Sequence, residues 1–129
     1  MSYNVARTVS PSFALCSFSS LTAGNVDFVF IDGDFTPSVS AGLLTLDAGY
    51  EYFLTSAPCV LNSADVTCQY RHIVDGVNGD LYSLQATSLT GGLDNQFSSI
   101  QADSVASFAL YADKALSENS RLEIWRMPL

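Results

Sequence analysis

GLLTLDAGYEYFLTSAPCV, residues 42–60, is the most regular stretch of the chain. Leu44, Leu46 and Ala48 alternate with Leu43, Thr45 and Asp47, and beyond Gly49 a second limb sets Tyr50, Tyr52 and Leu54 against Glu51, Phe53 and Thr55. A side-chain period of two with aromatic enrichment is that of a strand with one buried face. The spacing therefore predicts two strands joined at a sharp Ala48-Gly49 corner, where glycine supplies the backbone freedom.

The same design repeats to either side. Residues 13–18 read as a first strand and 19–25 as a turn. Residues 26–31 form a second, with Val26, Phe28 and Phe30 opposite Asp27, Val29 and Ile31. Residues 66–74 place Val66, Cys68, Tyr70, His72 and Val74 on one face, and 75–80, DGVNGD, carry a hairpin signal. A strand over 81–89 follows, then a polar loop over 90–99. Residues 104–112 set Ala106, Phe108, Leu110 and Ala112 opposite Val105, Ala109 and Tyr111. A connection over 113–120, with room for a helical turn, leads to a closing strand at 121–127, where Leu122 and Ile124 oppose Glu123, Trp125 and Met127. Seven or eight short strands without a long helical period predict an all-β sandwich or barrel.

Composition adds constraints. A chain of 129 residues suits one domain. Only 14% of residues are charged against 48% hydrophobic, so a monomer has little polar surface with which to cover itself, and association is expected. Several strands are apolar on both faces and need two covers. Thirteen acidic residues against five basic ones give a net charge of -8, and Arg7, Arg71, Lys114, Arg121 and Arg126 form no basic patch; nucleic acid is excluded as a partner on these grounds. No apolar run is long enough to span a bilayer as a helix, and no membrane partner is expected.

Signs of chemistry are sparse. Cys16, Cys59 and Cys68 are odd in number and lack a CxxC spacing, against a disulfide framework or a zinc module. Cys59 and Cys68 flank residues 60–66, which read as a hairpin loop, so a cross-strand bridge stands beside the alternative of three buried thiols. His72, the single histidine, alternates with Tyr70 and Val74 and reads as a buried, hydrogen-bonded imidazole rather than a general base. Asp32 with Asp34, and Asp75 with Asn78 and Asp80, offer oxygen ligands at short spacing but not the EF-hand pattern; Asx turns are preferred to calcium. No catalytic residue, metal or cofactor is assigned, and the chain is read as non-enzymatic.

Three segments resemble a known family. Ala48-Gly49-Tyr50-Glu51-Tyr52-Phe53-Leu54, then Cys68-Gln69-Tyr70 ahead of the 75–80 loop, then residues 104–112 with the closing Leu122-Glu123-Ile124-Trp125, are similar to the tumour-necrosis-factor and C1q-like jelly rolls. In particular they resemble the small versions that decorate tailed-bacteriophage capsids as cement proteins. The resemblance covers 13–129 and implies a homotrimer in which one sheet of each subunit packs about the threefold axis. Tyr111, Trp125 and Met127 are the candidate trimer interface, with a place in the monomer core as the alternative for them. It further implies a virion protein on the capsid surface, assembled in the host cytoplasm, whose partners are itself and the major capsid protein. Residues 1–12 read as a docking arm, with Tyr3, Val5 and Val9 as apolar contacts and Arg7 as an ion-pair donor. The alternative is the receptor- or glycan-binding head of a viral fibre or a C1q-like module, binding through loops 75–80 and 90–99. A chain that starts at Met1 shortly before its first strand favours the self-contained decoration protein.

Overall fold

The computed structural model describes residues 11–61, 67–85 and 96–129. Tyr3, Val5, Arg7 and Val9 lie outside the described residues. Twelve strands follow one another: β1 Ser12–Ser20, β2 Gly24–Asn25, β3 Asp27–Gly33, β4 Ser38–Ser40, β5 Leu43–Leu46, β6 Tyr50–Ala57, β7 Thr67–Val74, β8 Val77–Asn78, β9 Tyr82–Gln85, β10 Gln96–Ala102, β11 Ala106–Ala112 and β12 Leu116–Pro128. They form two antiparallel sheets, one ordered β10-β6-β12-β1-β3 and the other β4-β5-β11-β7-β8, with β2 added to β11 and β9 to β7. The sheets face each other as a jelly-roll sandwich.

Period-two patterning sets the inner faces. The first sheet contributes Ala14, Cys16 and Phe18 from β1, Phe28 from β3, Tyr52 and Leu54 from β6, and Leu122 and Ile124 from β12. The second contributes Leu44 and Leu46 from β5, Cys68 and Tyr70 from β7, and Phe108 and Leu110 from β11. Each large side chain among these that is fully buried stabilises the fold by roughly 1.5 to 3 kcal/mol.

The 42–60 stretch is a corner rather than a hairpin. β5 pairs with β4 and β11 while β6 pairs with β10 and β12, so residues 47–49 carry the chain from one sheet to the other. Gly49 has φ +93°, its N–H donates to the Ala102 carbonyl at 2.8 Å, and its carbonyl accepts from the Leu129 N–H at 3.0 Å. The hairpin loop expected over 75–80 is tighter than read: Asp75 and Gly76 alone make the turn, with positive φ at both (50° and 76°), the conformation of a type I′ turn, and β8 falls within the stretch read as loop.

Four expectations are corrected. The polar loop placed over 90–99 gives way at Gln96 to β10, which pairs with β6 along its whole length. The connection over 113–120 has no helical turn, because β12 already begins at Leu116. The hairpin reading of 60–66 fails because β6 and β7 belong to opposite sheets; Cys16, Cys59 and Cys68 are all free and buried. Ser12, counted with the arm, already opens β1 opposite Arg126.

Candidate functional site

The outward positions of the first sheet form a row of aromatic side chains crossing four strands. Phe97 on β10 stacks on Phe53 of β6 (ring centroids 5.9 Å, planes 25° apart). Trp125 of β12 stands in register with Phe53 on one side and Phe13 of β1 on the other, and its ring centroid is 4.5 Å from that of Phe13. Strong β-formers at alternate positions produce this row as surely as they produce the core, because in each strand the residue before and after an outward one faces in. Tyr52 and Leu54 flank Phe53 and are buried, and Ile124 precedes Trp125 and is buried.

Among the described residues nothing covers this face. Phe97 is 57% exposed, Trp125 36%, and Val29 and Ile31 on the β3 edge are 60% and 45% exposed. The aromatic row and the β3 edge give the outer side of the first sheet an apolar stripe among polar neighbours such as Gln101 and Glu123, a pattern typical of an association surface.

Trp125 and Met127 both lie on β12 in this sheet, with Met127 half-buried opposite Glu51. Tyr111 is not beside them: it lies on β11 of the opposite sheet, in register with Arg71 and Asn25. Phe13, Phe53 and Phe97 were not singled out from sequence, although the first two stand opposite inward residues in recognisable strands. Phe97 fell in the stretch read as loop.

The groups that chemistry would need are otherwise engaged. His72 is 4% exposed and its two ring nitrogens meet hydroxyls of the facing sheet, Nε2 the Ser56 Oγ at 2.7 Å and Nδ1 the Ser98 Oγ. One nitrogen donates and the other accepts, the pattern of a neutral ring. Burial holds its pKa down to about 4. Burial pushes the thiols of Cys16 and Cys68 up to about 11 and raises that of Cys59, so none is a ready nucleophile. Asp32 and Asp34 accept from the backbone N–H groups of Gly33 (2.9 Å) and Phe13 (3.1 Å), and Asp75 accepts from Ser107 N–H at 2.8 Å. These carboxylates cap backbone donors, but those of Asp34 and Asp75 lie 21 and 32 residues away in sequence, so the bonds tie segments together rather than make the local Asx turns expected. Among the described residues no group of three or more His, Cys, Asp or Glu side chains could hold a metal ion.

The chain folds like two crystal structures of murine APRIL. One, at pH 8.5, has a TM-score of 0.62 and 9% identity over 91% of this chain and 99% of that one; the other, at pH 8.0, has 0.63 and 10% over the same shares. The fold is a TNF-like jelly roll. No protein-family model and no curated sequence matches the chain. At this identity the likeness concerns the fold alone. What singles out one surface of the TNF-like domain is its own aromatic row.

Proposed function

We propose that the protein is a non-enzymatic assembly module, a homotrimer whose subunits meet through the outer face of the β10-β6-β12-β1-β3 sheet and which acts as a decoration protein on a bacteriophage capsid. The observation that carries the assembly is the uncovered row Phe97-Phe53-Trp125-Phe13. Aromatic rings left half-exposed side by side have stacking partners but no cover among the described residues, and a second apolar surface laid on them removes water from each. A jelly roll with few charges and a net charge of -8 suits a surface protein that clamps neighbours rather than one that binds nucleic acid. The capsid role draws on the resemblance of the 48–54 corner and the closing strand to cement proteins, with residues 1–12 as the arm that reaches the coat.

Light scattering on the purified protein at micromolar concentration tests the assembly, with a trimer expected and a monodisperse monomer contradicting it. Co-sedimentation with shells of the coat protein from the same genome tests the capsid role. The full chain is expected to pellet with the shells, and a chain lacking residues 1–11 to stay a trimer in the supernatant. Unchanged occupancy after that deletion would move the docking surface onto the sandwich.

A further inference from the structure

The second sheet carries a feature that assembly through the first leaves untouched. On its outer face Arg71 and Ile73 of β7, Asn78 of β8 and Tyr111 of β11 line a depression of about 270 Å³. The register makes them neighbours: Tyr111 stands opposite Arg71, and Ile73 opposite Asn78. Ala109, opposite Ile73 on the same row of β11, is small and buried.

Arg71 is the unusual member. The chain has thirteen acidic residues and five basic ones, yet no described carboxylate pairs with Arg71. The ion pair formed among the described residues is that of Arg126 with Asp47, at 3.7 Å. The acids that directly follow β7 and β11 are turned to backbone instead, Asp113 accepting from Gln69 N–H at 2.8 Å and Asp75 from Ser107 N–H at 2.8 Å. The Nε of Arg71 is fully covered without a hydrogen-bond partner, so its stem is packed down. A guanidinium fixed at its root, with its Nη donors uncommitted, is preorganised for an oxygen anion.

The other walls specify what carries that anion. Tyr111 offers a ring and a hydroxyl, Asn78 an amide that both donates and accepts, and Ile73 an apolar surface, a combination suited to a ring with hydroxyls on its rim and C–H groups on its face. The volume lies below the roughly 300–1,000 Å³ of sites for drug-sized ligands, which fits one monosaccharide. The net charge of -8 disfavours a long polyanion, whereas a single carboxylate against one guanidinium interacts within the ~8 Å screening length at physiological salt. We propose that the Arg71-Ile73-Asn78-Tyr111 depression binds a carboxylated monosaccharide unit, of the uronic- or sialic-acid type. The site lies on the sheet opposite the proposed interface and stays open in that assembly.

The test is titration of the full-length ¹⁵N-labelled protein with D-glucuronate and with N-acetylneuraminate, beside glucose, acetate and a carboxylate-terminated tripeptide at matched ionic strength. Saturable amide shifts centred on residues 71, 73, 78 and 111 are expected with at least one acidic sugar, with apparent affinity at least about tenfold above that for glucose or acetate. Arg71→Ala should remove them, and Asn78→Ala, on the exposed β8, should weaken them severalfold while leaving the rest of the spectrum in place. Equal shifts with acetate, tighter binding of the tripeptide, shifts that survive both substitutions, or none up to about 50 mM sugar would each overturn the proposal. Light scattering on the same samples reports assembly separately, so loss of one reading is not mistaken for loss of the other.

Discussion

Ser56 Oγ and His72 Nε2 lie 2.7 Å apart across the seam between the two sheets, one from β6 and one from β7. With Ser98 of β10 on Nδ1, the imidazole is a polar tie between layers otherwise joined by apolar contact. Its neighbours Tyr70, Tyr82 and Phe108 are rings, and no carboxylate is among the partners that would support a cation.

That environment sets a pH dependence. The His72 pKa falls from the ordinary 6.5 to about 4 on folding, so between those values the unfolded chain binds the proton that the native state refuses. Stability from this group is complete above pH 6.5, falls as pH drops toward 4, and levels off below it. The loss is about 3 kcal/mol over the window, near 1.4 kcal/mol per pH unit at its steepest. Urea denaturation at several pH values between 4 and 7 should show this slope, and His72→Gln should flatten it relative to the parent.

Where β1 and β3 draw together, Gly33 has φ +147°, and a Cβ placed there would sit 2.3 Å from the Phe13 carbonyl oxygen and 2.6 Å from the Ala14 Cα. Both obstacles are backbone, and the register shifts between Leu15 and Cys16 beside them. Gly33→Ala should therefore cost about 3 kcal/mol, from strain and from forced separation of the strands. Thermal unfolding provides the measurement. At Gly49, where nothing lies within 4 Å of the added Cβ, the same substitution meets only the backbone strain of φ +93° and should cost less.

Strands whose inner face is apolar were legible in the sequence, as in β1, β5, β6, β7, β11 and the second half of β12. The start of β10 was not, because its polarity is inverted there: Phe97 points outward while Ser98, which meets His72, sits between the sheets, and only Ile100 and Ala102 further along face inward in the usual way. A strand start that supplies an inward hydroxyl and an exposed ring has the pattern of a loop when read by hydropathy alone. Ser120, buried at 0% and accepting from Cys59 N–H at 2.8 Å, hid the first part of β12 in the same way. Which sheet each strand joins was also not legible, since a corner between sheets and a hairpin within one share the same glycine. The candidate site was half legible: Trp125 and Met127 follow from alternation, but the row that gives Trp125 its meaning depends on a register between strands distant in sequence.

The buried thiols give a further expectation. Cys16, Cys59 and Cys68 are free, at 0%, 3% and 0% exposure, and burial disfavours the thiolate that reacts. A colorimetric thiol reagent should find essentially none of them at pH 8 in the native protein and all three after denaturation. Reducing agent should leave the melting temperature unchanged. Rapid native-state reaction at any one would show that its end of the sandwich opens locally.

Trp125 and Tyr111 offer a paired test of which sheet assembles. The Trp125 ring packs on Phe13 and stands in register with Phe53 on the first sheet, whereas Tyr111 is half-buried and in register with Arg71 on the second. If subunits meet through the first sheet, Trp125→Ala removes buried aromatic area from every subunit, about 2 kcal/mol each, and the loss is felt three times in a trimer. Dilution followed by light scattering or sedimentation should then show the variant dissociating at concentrations far above those that dissociate the parent, while Tyr111→Ser assembles as before. The lost packing against Phe13 also costs the monomer about 1 kcal/mol, a smaller effect that a melting curve at matched oligomeric state separates from dissociation. Dissociation by Tyr111→Ser with Trp125→Ala unaffected would place the interface on the sheet of β11, and the Arg71 depression would then lie within or beside it rather than open to a ligand.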